Sequence, residues 1–265
     1  MPELVLADSV TKLGPDAAGA VLVTGSHGGV YAACLARRAG CRAAIFNDAG
    51  VGLDCAGIGG LDWLEAHGMA AAAIDHRSAD IGSAAQMLAR GTVSHANARA
   101  RALGVRRGMP CAEAALLLAP AEIPQGPVEP LAESRRELEP EGAVRRLVLV
   151  DSAALVEPSD AGQVVVTGSH GALFGCDPQN ALKVDAALAL FNDAGGGAGT
   201  TRLPALQARG VAAATVAAAS ARIGDACSTW QDGVISACNE AAAALGGKPG
   251  MAARELTARA LEKRR

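Results

Sequence analysis

Two of the five histidines in this 265-residue chain lie in identical pentapeptides, Thr24-Gly25-Ser26-His27-Gly28 and Thr167-Gly168-Ser169-His170-Gly171. A hydroxyl, an imidazole and flanking glycines are parts from which nucleophilic and acid–base sites are built, glycine allowing close approach of backbone to a ligand. A second repeated pair, Asn47-Asp48 and Asn192-Asp193, supplies carboxylates able to orient an imidazole or move a proton. The catalytic candidates are therefore Ser26, His27, Asp48, Ser169, His170 and Asp193. Thr24, Asn47, Thr167 and Asn192 accompany them as substrate-binding candidates.

These groups act together only if the chain carries them to one edge of a framework, and the framework is legible. LVLADS (4–9) matches LVLVDS (147–152), and VLVTGSHGG (21–29) matches VVVTGSHGA (164–172). AAIFNDAGVG (43–52) matches LALFNDAGGG (188–197), and GMAAAAI (68–74) matches GVAAATV (210–216). SADIGSA (78–84), GTVSHAN (91–97) and GMPCAE (108–113) find SARIGDA (220–226), GVISACN (233–239) and GMAARE (250–255). The offset stays at 142–145 residues, which predicts a collinear duplication into two homologous units, 1–118 and 145–265. The proline- and glutamate-rich segment 119–144 reads as a linker or surface crossing.

Short β-branched runs predict strands at 3–8, 20–25, 42–47 and 70–75, and again at 146–151, 163–168, 187–192 and 211–216. They lack strict alternation, so each sheet is expected to be covered on both faces. The fold class that follows is α/β, with two duplicated βα units, mainly parallel sheets and an approximate two-fold relation. The short link between the first two strands leaves that pair open to an antiparallel arrangement. The last stretch of each unit reads as its longest helix: over 225–245, Trp230, Val234, Ile235, Cys238, Ala241, Ala242 and Leu245 recur near every third or fourth residue, behind Asp225 as N-cap. His95 and the pairs Ser94/Asn97 and Ser236/Asn239 are expected on that helix, and His67 at the end of another.

The candidate groups gather at strand carboxyl ends, where open α/β sheets bind ligands. The units also differ there. Asp75-His76-Arg77 faces Ala217-Ala218-Ala219, Asp80 faces Arg222, Ser83 faces Asp225 and His95 faces Ala237. Asp75, His76, Arg222 and Asp225 therefore join the substrate-binding candidates, with unlike groups from the two halves serving one or two composite sites.

Several chemistries fall away. A net charge of −3 offers no basic face for nucleic acid. No apolar run approaches the roughly 18 residues of a membrane span, and no signal peptide opens the chain. The seven cysteines show no CxxC or zinc-like spacing and read as reduced core fillers of a cytoplasmic protein. Neither a dinucleotide fingerprint nor a P-loop is present, so no cofactor is expected. His27, Asp48, His170 and Asp193 are the residues a metal would draw on, but without metal-ligand spacing no metal is expected. A thiol peptidase lacks its cysteine.

What remains is a cytoplasmic enzyme with a small-molecule substrate and no nucleic-acid or membrane partner, compatible with a homo-oligomer. The leading expectation is a hydrolase of a C–N, amide-type bond in a small polar or carboxylate substrate, using serine, histidine and aspartate. The alternatives are a cofactor-free isomerase or lyase working by His/Asp acid–base catalysis, and a non-catalytic ligand-binding protein.

Overall fold

The computed structural model describes residues 3–173 and 177–262. The chain divides into two compact units, Met1–Val51 with Cys55–Ala132, and Gly52–Asp54 with Glu133–Arg265.

The first unit runs β1 (Leu4–Ala7), β2 (Val21–His27), α1 (Val30–Arg38), β3 (Ala43–Asn47), α2 (Gly60–Ala66), β4 (Ala70–Ile74), α3 (Ala84–Arg90), β5 (Val93–Ala96), α4 (Ala98–Ala102) and α5 (Cys111–Leu118). Its sheet order is β1-β2-β3-β4-β5. The first four strands are parallel and β5 is antiparallel to β4. The β1–β2 pair is thus parallel, against the antiparallel option that its short link suggested. About a dozen residues, folded as two 3₁₀ turns, suffice for the return.

The strands carry apolar side chains on both faces because both faces are covered. Leu22, Ala44 and Phe46 pack with Ala33, Leu61 and Leu64 of α1 and α2. Val23, Ile45 and Ile74 pack with Met87, Cys111 and Leu118 of α3 and α5. Small alanine-rich surfaces let these layers approach closely. The scarcity of aromatics, 2% of the chain, is consistent with that packing.

The second unit runs β6 (Arg135–Leu138), β7 (Leu147–Val150), β8 (Val164–His170), β9 (Leu188–Asn192), α6 (Arg202–Ala208), β10 (Ala213–Val216), α7 (Ala226–Gln231), β11 (Ile235–Cys238), α8 (Glu240–Ala244) and α9 (Ala253–Glu262). Its order is β11-β10-β9-β8-β7-β6, parallel from β7 to β10. β6 arises inside the proline-rich segment and closes the sheet antiparallel to β7. Arg135 secures it through a two-point pair with the fully buried Asp160, at 2.9 Å on each arm. Earlier in that segment, Arg42 donates to the carbonyls of Ala119 and Ala121, and Arg37 to those of Gln125 and Gly126.

The single long helix expected over 225–245 is three elements, α7, β11 and α8, and the first unit divides in the same way into α3, β5 and α4. Gly233 ends α7: a Cβ there would sit 2.2 Å from the Thr229 carbonyl. The β-branched Ile235 that follows pairs with Val216 of β10, so tertiary pairing overrides the helical spacing. His95 and Ser94 accordingly lie on β5, not on a helix. Asp225 does cap α7, accepting from Ser228 N at 2.8 Å, and His67 does end α2.

The units differ most at the segment after β2 and β8. In the first, α1 packs against Gly60, where a Cβ would meet Ala33 Cβ at 2.7 Å. In the second, the matching position is Arg202, 4% exposed, whose backbone N–H bonds Gly171 O as Gly60 N bonds Gly28 O. Its guanidinium donates to Ala172 O and Ala181 O and lies over the Phe191 ring. Burial pushes Arg202 down to about 10.

Candidate functional site

The repeated pentapeptide closes on itself. Ser26 Oγ accepts from Val10 N at 3.0 Å, and Ser169 Oγ accepts from Ala153 N at 2.9 Å. His27 Nδ1 accepts from Gly29 N at 3.1 Å, and His170 Nδ1 from Ala172 N at 3.2 Å. Each imidazole therefore carries its proton on Nε2. Burial pushes His27 down to about 4. The glycine of the motif admits a loop: a Cβ on Gly25 would lie 2.6 Å from Ser83 N, and one on Gly168 2.5 Å from Asp225 N. The asparagines are likewise internal. Asn47 bonds Ala79 O and Ala49 N, and Asn192 bonds Ala221 O and Ala194 N. Thr24 and Thr167 are fully buried, with Thr167 Oγ1 donating to Leu190 O. Among the described residues, neither Ser26 nor Ser169 is hydrogen-bonded to a histidine.

A different grouping forms between β3 and β4. The chain leaving β3 joins α2 on one face of the sheet, while the chain leaving β4 joins α3 on the other. To reach α3 the chain leaving β4 passes the carboxyl ends of β3 and β2, where Asn47 donates to Ala79 O and Gly82 N donates to Gly25 O. Asp48 follows β3 and Asp75-His76-Arg77 follows β4, at neighbouring strand carboxyl ends. His76 Nδ1 lies 2.9 Å from Asp48 Oδ1, which also accepts from His76 N at 3.0 Å and Gly50 N at 2.9 Å. A carboxylate only accepts, so Nδ1 donates, and in the neutral ring Nε2 keeps its lone pair. Asp48 is 4% exposed, and the His76 side chain keeps 23% of its surface in solvent. The pair is anchored on the protein side and open on the other.

Asp75 Oδ1 stands 3.7 Å from the same Nδ1. Hydrogen bonding from Arg77 holds the Asp75 carboxyl down to about 2. Among the described residues, Asp48, Asp75 and His76 form the one group of three possible ligand side chains with atoms within 4.8 Å of one another. Both oxygens of Asp75 are taken by Arg77, which leaves too few free donors for a closed metal site.

The loop carrying Asp48 is unusual. Ala49 (φ 52°), Val51 (φ 66°), Asp54 (φ 53°) and Cys55 (φ 57°) all adopt left-handed backbone, and Val51 is β-branched. The second unit places Gly196 (φ 64°) where Val51 stands.

The second unit keeps the carboxylate without the imidazole. Asp193 Oδ1 accepts from Ala218 N at 2.7 Å, as Asp48 does from His76 N. The serines of the turns after β4 and β10 are bonded alike, whereas Arg77 N also donates to Asp75 Oδ1 in the first turn and Ala218 O also accepts from Leu53 N in the second. Ser78 Oγ donates to Asp75 O at 2.7 Å and accepts from Thr92 N at 2.9 Å; Ser220 Oγ donates to Ala217 O at 2.7 Å and accepts from Val234 N at 2.9 Å. Arg222 pairs with Asp54 at 2.8 Å within the second unit, and Asp225 serves as a helix cap. Arg77, absent from the candidates drawn from sequence, is the addition. Its signal was the replacement of Asp-His-Arg as a block by three alanines.

Compared with protein-family models, curated proteins and solved structures, the chain has no match.

Proposed function

We propose that the protein is a small-molecule enzyme working by acid–base catalysis, of the isomerase or lyase class, with its reactive centre at the carboxyl ends of β3 and β4 in the first unit. His76 is the proton-carrying group and Asp48 orients it. The observation that carries this reading is the 2.9 Å Asp48–His76 contact, set in a turn that the second unit builds with Ala217-Ala218-Ala219. The second unit builds such a turn without Asp-His-Arg, which supports a role for the triplet besides the turn. Deprotonated at Nε2, His76 accepts a proton from a bound substrate; Asp48 holds the tautomer and stabilises the imidazolium that results. A serine hydrolase has less support, since each serine hydroxyl of the pentapeptides accepts a loop N–H and has no histidine partner among the described residues.

We infer also that the two units descend from one duplicated unit. Seven matched segments, the shared pentapeptide bonding and the like-bonded Ser78 and Ser220 turns support that origin. The second unit has then lost, or never gained, the imidazole.

The test is a screen of small polar acids and amides for turnover, followed by His76→Gln and Asp48→Asn. Each should lower the rate by about 10²–10⁴-fold. Ser26→Ala and Asp193→Asn should keep it within a few-fold. Loss in Ser26→Ala with full activity in His76→Gln would return the chemistry to the pentapeptides.

A further inference from the structure

Two carboxylates approach one nitrogen of His76. Nδ1 is 2.9 Å from Asp48 Oδ1 and 3.7 Å from Asp75 Oδ1, and it has one proton to give. If the ring swung to Asp75, Nε2 would no longer point where Asp48 aims it. What separates the two acceptors is Arg77. Its backbone N–H and Nε donate to Asp75 Oδ1 at 2.9 and 3.0 Å, and its Nη2 donates to Asp75 Oδ2 at 2.7 Å. This is the planar two-point grip that guanidinium makes on carboxylate.

We propose that Arg77 is a positioning residue for His76: by engaging both oxygens of Asp75 it leaves the Nδ1 proton to Asp48 alone and fixes Nε2 as the nitrogen offered to substrate. The proposal rests on the reading of His76 as the acid–base group. Three features support it. All the side-chain hydrogen bonds of Arg77 among the described residues go to Asp75, although the side chain is 76% exposed and has solvent as an alternative. Ser78 and Asp48 hold this turn as Ser220 and Asp193 hold theirs without any arginine, so the grip of the Arg77 guanidinium on Asp75 adds to a turn already secured. Asp75, His76 and Arg77 are all replaced together in the second unit, as expected of parts of one device. The charged groups facing His76 are Asp48, from the loop after β3, and Asp75 and Arg77, from its own turn; Gly50 backs the ring without charge, a Cβ there lying 3.5 Å from Cε1.

The experiment needs no substrate. Ring signals of His76 in the full chain, assigned with His76→Gln, are followed by NMR against pH in the unaltered protein, Arg77→Ala, Arg77→Lys, Asp75→Asn and the double variant Arg77→Ala/Asp75→Asn. In Arg77→Ala the released Asp75 charge reaches the ring, and the titration midpoint should rise by about one pH unit. Arg77→Lys keeps the charge without the fork and should show a smaller rise. The double variant should return close to the unaltered protein. An unmoved midpoint in folded Arg77→Ala overturns the proposal, and so does a rise that persists when Asp75 is also replaced. Turnover separates this from the parent reading. If His76→Gln remains active while Arg77→Ala still shifts the titration, the acid–base role fails and the positioning stands. If His76→Gln is inactive and no shift appears, the positioning fails alone.

Discussion

The turn after β4 and the turn after β10 share a set of backbone and serine bonds and differ in chemical content. Ser78 and Ser220 tie each turn to the strand that follows, and Asp48 and Asp193 each accept the N–H of its second residue. One turn then carries Asp75-His76-Arg77 and the other Ala217-Ala218-Ala219. The second turn shows that such a bonding pattern forms without Asp-His-Arg. In the pentapeptides, by contrast, the serine Oγ and the histidine Nδ1 accept matching backbone N–H groups in both units.

The comparison can be broken most decisively by activity. With a substrate in hand, His76→Gln and Asp48→Asn should each cost about 10²–10⁴-fold in rate, while Asp193→Asn in the matching position should cost almost nothing. Equal losses from Asp48→Asn and Asp193→Asn would mean that both units react.

A second contrast lies at Gly60 and Arg202. Arg202→Met keeps much of the side-chain volume but abandons the Ala172 and Ala181 carbonyls. Chemical denaturation should register a loss of about 2–4 kcal/mol. A neutral result would show that solvent satisfies those carbonyls.

His27 provides a pH test. Its folded value of about 4 lies below the ordinary 6.5, so on acidification the unfolded chain takes the proton first. Stability is therefore complete above pH 6.5, declines as pH falls towards 4, and levels off below that. At roughly 1.4 kcal/mol per unit the decline is at most about 3 kcal/mol, less where water reaches the ring. Urea titrations between pH 7 and 4 should show it, and His27→Gln should remove it. An unchanged slope in that variant would place the acid sensitivity elsewhere.

The smallest effect concerns the left-handed loop. Val51→Gly relieves a β-branched residue at φ 66° and should raise the unfolding free energy by about 0.5–1 kcal/mol, whereas Gly196→Val should lower it by at least as much. A stability loss in Val51→Gly would mean that packing of the valine side chain outweighs its backbone strain.

Much of the framework was readable in advance. All eight expected strands are present, because β-branched runs that end in Gly, Asp or Ser have few other conformations in a chain this rich in small residues. The Asp225 cap and the end of α2 at His67 were equally local. β5 and β11 were not legible, since Val93 and Ile235 sit at spacings that also suit a helix and only pairing with β4 and β10 decides. β6 was hidden because Arg135–Leu138 is charged and flanked by prolines; what makes it a strand is the open edge of β7. Burial of the cysteines was foreseen for several, and it pushes the Cys111 and Cys41 thiols up to about 12 and 11. Among the described residues no helix is long and apolar enough to cross a membrane.

The sequence by itself determined the strands, the matched halves and the types of polar residue waiting at strand ends, because each depends on neighbours close along the chain. Which of those residues meet was decided by tertiary structure alone. Asp48 and His76 are 28 positions apart and carry no spacing signal. They come together because β3 and β4 lie parallel in register and their chains depart to opposite faces of the sheet, a choice made by where α2 and α3 find apolar surface to bury.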